Sequence, residues 1–167
     1  SQPLRVSVLE DLDIVPLLEH VQNANCDLND MSASISEAIQ QFDKNDSDLV
    51  ARLHRLKNQR ITQIGFLELI FFPSLEIISE KLTTVCESII RATVQFLLQR
   101  HEDRWGNPIR SDGQKCRFAV LALSQLGGRA LSYSNDIELI CIYDEEGKTD
   151  GVRSKSNQVF FESVAKD

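Results

Sequence analysis

The sequence predicts an α+β protein in which a helical N-terminal module precedes a small α/β core. Over much of residues 1–104, apolar residues recur at the spacing of amphipathic helices. From residue 105 onward, apolar residues instead form short runs bounded by glycine, proline and polar residues, which is typical of strands and turns. We therefore expect helices first and then a small mixed sheet with helices.

The helical module begins with a short amphipathic pattern around Pro16, and a polar loop follows over residues 23–34. Two longer helices then meet at Pro73, which lacks a backbone N–H and ends or bends the first of them. Ser74 can cap the second helix, and we expect the two to form an antiparallel pair. Their predicted buried stripes are Leu49, Leu53, Leu56, Ile64 and Leu67, followed by Leu75, Ile78, Leu82, Val85, Ile89 and Phe96.

The boundary between the two parts is predicted after residue 104, because residues 105–115 are rich in turn-forming residues. This divides the chain into a helical module, 1–104, and a core, 105–167. The predicted core elements are a buried strand over 117–123, a Gly-Gly turn at 127–128, a helical turn over 129–133, a strand over 136–144, a polar loop over 145–157 and a helix over 158–166.

Composition excludes several classes of function. The formal net charge is −7, which opposes a broad nucleic-acid-binding surface but leaves room for one basic nucleotide pocket. The four cysteines are scattered without Cys-x-x-Cys pairs, which argues against zinc and against a disulfide framework. The longest apolar stretch, residues 66–72, contains Glu68 and is too short to span a bilayer. We expect a cytoplasmic protein without membrane contact.

Two short motifs in the core carry the chemistry. Gly127 and Gly128 follow the first strand, and paired glycines that open a helix let the backbone and its free N–H groups approach phosphates. Asp136 and Glu138 are two residues apart on the second predicted strand, so both carboxylates point to one face while Ile137 and Leu139 enter the core. Carboxylate oxygens are ligands that Mg²⁺ prefers.

Taken singly, each motif is more often an ordinary turn or a solvated strand face. Their order and spacing together are more specific, since a strand, Gly-Gly and a second strand opening with Asp-x-Glu resemble the signature of the polymerase-beta-type nucleotidyltransferases. The resemblance implies the start of that fold, with Asp136 and Glu138 as catalytic metal ligands for Mg²⁺. In that superfamily two metal ions stabilise the attacking and leaving oxygens of an in-line displacement at phosphorus.

The superfamily takes a third carboxylate from a later strand. Asp144 shares the strand parity of Asp136, but eight residues along a strand is roughly 26 Å, too far to share a metal. Asp150 and Glu162 lie in a predicted loop and helix and do not fit the pattern. We expect a fragment that is truncated before this third ligand and is weak or inactive alone.

The stretch 118–140 resembles the glutamine synthetase adenylyltransferase/deadenylylase family more closely. That family typically reads Gly-Lys-Leu-Gly-Gly-Arg-Glu-Leu-Asn-Tyr/Phe-Ser-Ser-Asp-Ile-Asp-Leu-Ile, and this chain has the corresponding Gly-Gly-Arg and Ser-Asn-Asp-Ile-Glu-Leu-Ile. The segment 53–60 also resembles the helical lead-in of these enzymes. The tail 144–162 looks more like the deadenylylating N-terminal half than the adenylylating half.

This resemblance implies an enzyme that attaches AMP from ATP to a tyrosine of glutamine synthetase, or removes it by phosphorolysis with release of ADP, and so regulates nitrogen assimilation. It implies contacts to nucleotide phosphates from Gly127, Gly128, Arg129 and Ser134. Arg129 could equally pair with a nearby acid. Glutamine synthetase is the implied partner, and the PII signalling protein is a further one for the full-length enzyme.

Departures from the family pattern leave alternatives open. Gln125 replaces a lysine that could contact phosphate, Ala130 replaces a glutamate, and Glu138 replaces an aspartate. The loss of the lysine and of the glutamate favours, slightly, a non-catalytic domain of the same fold that binds nucleotide or glutamine synthetase. Another protein nucleotidyltransferase, such as the PII uridylyltransferase, is a further alternative, although the Gly-Tyr-Gly-Arg-Gly-Glu-Leu turn typical of that family is missing.

Overall fold

The computed structural model describes residues 49–134 and 136–167, together with Ala33, Ile35 and Glu37. The helix predicted around Pro16 lies outside the described residues. Ala33, near the end of the predicted polar loop, is helical, as are Ile35 and Glu37. Ile35 is fully buried among side chains of the following helices, which places this point of the chain against the helical module.

Two long helices make up most of the described N-terminal part of the chain: α1, Leu49–Phe71, and α2, Leu75–Trp105. The predicted break at Pro73 is confirmed, and because only three residues connect two helices that pack together, they form a helical hairpin. Ser74 occupies the N-cap position of α2 without a capping bond from its side chain. Instead its backbone carbonyl accepts from the N–H groups of Ile77 and Ile78. Among the described residues, no helix is long and apolar enough to cross a membrane.

The hairpin builds the first hydrophobic cluster, which also takes in two leucines from the later core. Most of the predicted stripe is confirmed, but Leu75 is wrong: its side chain is 75% exposed, because it opens α2 beyond the packed part of the hairpin. The buried members of this first cluster are Ile35, Ile64, Ile78, Leu82, Val85, Ala92, Leu126 and Leu131.

The core contains two small sheets, which confirms the α+β class. Strand β2, Phe118–Ala122, pairs antiparallel with β3, Leu139–Tyr143, and β1, Pro108–Arg110, pairs antiparallel with β4, Gly147–Thr149. Where a mixed sheet was expected, the described part of the chain thus has two antiparallel pairs. Both β1 and β4 fall in segments predicted as turn or loop.

The chain returns to the hairpin through two further helices, the short α3, Ser124–Gly127, and α4, Asn157–Lys166. The Ser156 side chain caps α4 by accepting from the N–H of Val159 at 3.3 Å. Because α4 packs against α2, it closes a second hydrophobic cluster around the end of that long helix. The buried members of this second cluster are Leu97, Trp105, Cys116, Phe160, Phe161 and Val164.

Candidate active site

The two predicted motifs lie at one end of the β2–β3 pair. Strand β2 runs into α3, which ends at Gly127, and β3 begins directly after Glu138. The backbone N–H of Leu123 donates to the carbonyl of Glu138 at 2.9 Å. The two chain segments therefore remain hydrogen-bonded one residue beyond the last strand pair. The Gly-Gly turn and the Asp-x-Glu segment are therefore neighbours in space.

The Gly-Gly turn differs from the expected geometry. The glycines end a short helix instead of opening one, and residues 129–133 do not form the predicted helical turn. Four consecutive backbone N–H groups, those of residues 127 to 130, donate to the carbonyls of Leu123, Ser124, Leu126 and Gln125 at 2.9 to 3.1 Å. These amides are satisfied within the turn and are not directed at a ligand in this conformation, which corrects the expectation of free amides there.

This turn has the hydrogen-bond pattern of a helix C-terminal cap. Ala130 donates to Gln125 across the last turn and Arg129 donates to Leu126, the two bonds of a Schellman motif. Arg129 has a φ of 53°, the left-handed conformation that this motif requires and that glycine usually supplies. The sequence signal for a cap was present in the paired glycines, but the left-handed residue is the arginine after them.

The side chain of Arg129 reaches the helical hairpin. Its Nη1 donates to both carboxylate oxygens of Glu87, each at 3.0 Å, and both side chains are partly exposed. Of the two possibilities for Arg129, phosphate or a nearby acid, the structure shows the acid. Sequence reasoning missed Glu87, since 42 positions separate the two residues and no local pattern links them.

A second side chain of the same loop also contacts the hairpin. The Tyr133 hydroxyl donates to the Oε2 of Glu68 on α1 at 2.7 Å. Partial burial and the adjacent Glu68 carboxylate raise the pKa of Tyr133 well above its ordinary value. Ser134, next to it, lies exposed in a turn. The loop that carries the predicted phosphate residues is thus tied to both α1 and α2.

Asp136 and Glu138 lie just before β3 and not within a strand as predicted, and both are exposed. The expectation that Ile137 and Leu139 enter the core is wrong: they are 47% and 41% exposed, because the described residues place no further layer over them. No group of three or more metal-ligating side chains occurs in the described part of the chain. Two carboxylates suit one Mg²⁺, which commonly takes one or two carboxylates with phosphate and water oxygens.

Asp144, at the opposite end of β3, has a structural role. Its Oδ1 accepts from the Cys116 thiol and from the backbone N–H of Arg117, both at 2.9 Å. Its Oδ2 accepts from the side chains of Arg117 at 2.9 Å and Arg110 at 3.2 Å. These bonds, that from Cys116 foremost, hold the pKa of the Asp144 carboxyl far below its ordinary value of 3.8.

The fold is of the α+β class and carries the Gly-Gly and Asp-x-Glu segments at one end of a strand pair, and comparison with known proteins identifies the family. The sequence profile of the glutamate-ammonia ligase adenylyltransferase family matches residues 8–167. The chain belongs to this family. This confirms the resemblance to the glutamine synthetase adenylyltransferases that the Gly-Gly-Arg and Asp-Ile-Glu segments indicate.

Similar curated proteins carry the name bifunctional glutamine synthetase adenylyltransferase/adenylyl-removing enzyme. The one from Aromatoleum aromaticum is 33% identical over 135 residues, which cover 78% of this chain and 14% of the relative. The one from Thioalkalivibrio sulfidiphilus is 30% identical over 149 residues, 87% of this chain and 15% of the relative. The one from Methylococcus capsulatus is 26% identical over 159 residues, 95% and 17% respectively. The chain thus spans only a small part of these relatives.

Proposed function

We propose that this chain carries the Mg²⁺-nucleotide site of a cytoplasmic enzyme that adenylylates or deadenylylates a tyrosine of glutamine synthetase. The observation that carries the proposal is the hydrogen bond between Leu123 and Glu138, which sets the Gly-Gly turn beside the Asp-x-Glu segment in a chain of this family. The names of the relatives support glutamine synthetase as the protein substrate. The PII protein is proposed as a regulatory partner of the full-length enzyme.

In this proposal the residues that face the nucleotide have separate tasks. Asp136 and Glu138 supply the carboxylate oxygens that hold Mg²⁺ against the phosphates of ATP or ADP. The bound metal would neutralise phosphate charge during displacement. Gly128 leaves the backbone open to a close approach of the phosphates, while Arg129 and Ser134 offer hydrogen-bond donors to them. A second Mg²⁺ would need a further carboxylate, since the described residues include no group of three.

A second candidate function is a non-catalytic module that binds nucleotide or glutamine synthetase. The observation that favours it is the internal bonding of the turn amides, combined with glutamine at 125 in place of the family lysine. Both remove groups that would contact phosphate. Such a module would bind its ligand without turnover, so an activity assay on a longer chain with glutamine synthetase separates the two functions.

The proposal is tested by calorimetric titration of this chain with ATP and with ADP, in the presence and absence of Mg²⁺. We expect Mg²⁺-dependent binding that Asp136→Ala/Glu138→Ala abolishes. The control is Glu80→Ala/Glu162→Ala, which changes the net charge equally at exposed positions on α2 and α4 and should bind like the wild type. Binding that is absent in the folded wild type, or equal in both double variants, would contradict the proposed site.

A further inference from the structure

The hydrogen bonds between Glu87 and Arg129 place a residue of the helical module at the candidate phosphate site. Glu87 lies near the middle of α2, and its carboxylate receives two 3.0 Å hydrogen bonds from Arg129 Nη1. The loop itself is anchored by Leu126 and Leu131, which are buried against the hairpin in the first cluster. The backbone of the loop and the side chain of Arg129 are therefore held by separate contacts.

The backbone conformation at Arg129 indicates that its side chain has a functional role. With φ at 53°, the residue has the left-handed conformation that Cβ disfavours and that glycine adopts freely. Glycine stands at the two preceding positions, yet arginine occupies the one that would gain most from it. Sparsely populated backbone conformations of this kind cluster at functional sites.

Both hydrogen bonds to Glu87 come from a single amino group of the guanidinium. The Nε and Nη2 groups of Arg129 take no part in this contact. A guanidinium carries five N–H donors in a planar fork whose geometry matches the oxygens of a phosphate. Because only Nη1 bonds to Glu87, the Nε and Nη2 groups on the other edge of the guanidinium can donate to a second anion. A carboxylate on one side thereby fixes the direction in which the remaining donors point.

We propose that Glu87 is a positioning residue that orients Arg129 toward the phosphates of the bound nucleotide. The inference rests on the proposed function, because it concerns the same nucleotide site. Glu87 does not contact the nucleotide in this proposal; it acts only through the guanidinium of Arg129. Since the side chains of Glu87 and Arg129 are 38% and 50% exposed, their pairing contributes little to folding stability. Loss of Glu87 should therefore weaken binding without unfolding the chain.

The test compares Mg²⁺-ATP titrations of the wild type, Glu87→Gln and Glu80→Gln, a matched control that neutralises an exposed carboxylate elsewhere on α2. We expect Glu87→Gln to weaken ATP binding about fivefold, as one misdirected charge-assisted contact would, while Glu80→Gln binds like the wild type. The urea unfolding midpoint should be the same in all three proteins. The side-chain ¹⁵N resonances of Arg129, assigned with Arg129→Lys, should shift on addition of Mg²⁺-ATP in the wild type and less in Glu87→Gln.

The outcomes separate this inference from the function on which it rests. Mg²⁺-dependent binding that is unchanged in Glu87→Gln, or tighter because Glu87 competes with phosphate for Arg129, overturns the positioning role and leaves the nucleotide site in place. Side-chain resonances of Arg129 that do not shift when Mg²⁺-ATP is added overturn the positioning role as well. Absence of nucleotide binding by the wild type overturns the proposed function and this inference together.

Discussion

At the scale of single residues, the two glycines of the turn have different constraints. A Cβ at Gly127 would lie 2.4 Å from the carbonyl oxygen of Ala122, a distance that real contacts do not reach. A Cβ at Gly128 would lie 3.4 Å from the carbonyl oxygen of Ser124, an ordinary contact, and its φ of −83° suits any residue. Gly127 is thus required by packing, whereas the fold does not require Gly128.

This difference predicts that alanine at Gly127 affects stability, whereas alanine at Gly128 affects nucleotide binding. Gly127→Ala should lower the free energy of unfolding by about 1–3 kcal/mol, because the backbone must shift to admit the methyl group. Gly128→Ala should stay within about 1 kcal/mol of the wild type and yet weaken Mg²⁺-ATP binding, because the methyl group obstructs the approach of phosphate. Urea unfolding and calorimetric titration measure the two effects. Equal destabilisation by both variants would contradict the packing argument.

The sequence predicted that the two motif segments lie at the same end of a strand pair, but it did not predict the geometry of the Gly-Gly turn. The contact of Leu123 with Glu138 follows from two apolar runs that pair as neighbouring strands, a local and periodic signal. The direction of the turn amides does not follow, because a Gly-Gly pair can open a helix or end one. The contacts of Arg129 with Glu87 and of Tyr133 with Glu68 do not follow from the sequence pattern either. Packing of the hairpin creates them across long sequence separations.

At the scale of secondary-structure elements, predictability follows the length of the repeating pattern. The helices α1 and α2 span 23 and 31 residues, so helical periodicity is sampled over many turns and Pro73 marks the break. Strands β1 and β4 span three residues each, which is too short to show the alternation of apolar and polar residues that predicts a strand. Each forms a strand because it pairs with the other, which lies about 40 positions away in the sequence. Pairing of this kind is a tertiary effect.

The carboxylate of Asp144 joins several of these elements, and its pairing predicts how stability depends on pH. The bonds from Cys116, Arg117 and Arg110 lower the folded-state pKa of Asp144 below 3.8. Such a group stabilises the fold at pH values above its unfolded pKa, and this contribution is lost as the pH falls through the folded pKa. Asp144→Asn removes the charge at every pH. The variant should be less stable than the wild type at neutral pH, with a difference that narrows below pH about 4.

Urea midpoints of the wild type and Asp144→Asn, measured from pH 7 down to pH 3, check this prediction. Asp136→Asn is the control, since it neutralises an exposed aspartate just before β3 and should leave the midpoints unchanged. A gap between the wild type and Asp144→Asn that stays constant over this range would show that the ionised carboxylate of Asp144 does not contribute to stability.

At the scale of the whole molecule, α2 connects the two hydrophobic clusters. Its first part supplies Leu82, Val85 and Ala92 to the first cluster, and its last part supplies Leu97 and Trp105 to the second. The boundary predicted after residue 104 falls at the end of this helix, but Trp105 packs against Phe160 of α4 with ring centroids 6.3 Å apart. Because one helix forms part of both clusters, unfolding of one cluster should break the other.

Cooperative unfolding can be tested because Trp105 is the only tryptophan and lies in the second cluster. Leu82→Ala, in the first cluster, should cost about 2–5 kcal/mol and lower the midpoints seen by far-ultraviolet circular dichroism and by Trp105 fluorescence equally. Leu75→Ala is the matched control on the same helix, since Leu75 is 75% exposed and its loss should leave both midpoints in place. If Leu82→Ala moved the dichroism transition alone, the two clusters would unfold as independent units, and the predicted boundary after residue 104 would separate two folding domains. A common shift instead means that the two clusters fold as one unit, so substitutions deep in the hairpin would also destabilise the second cluster around Trp105 and Phe160.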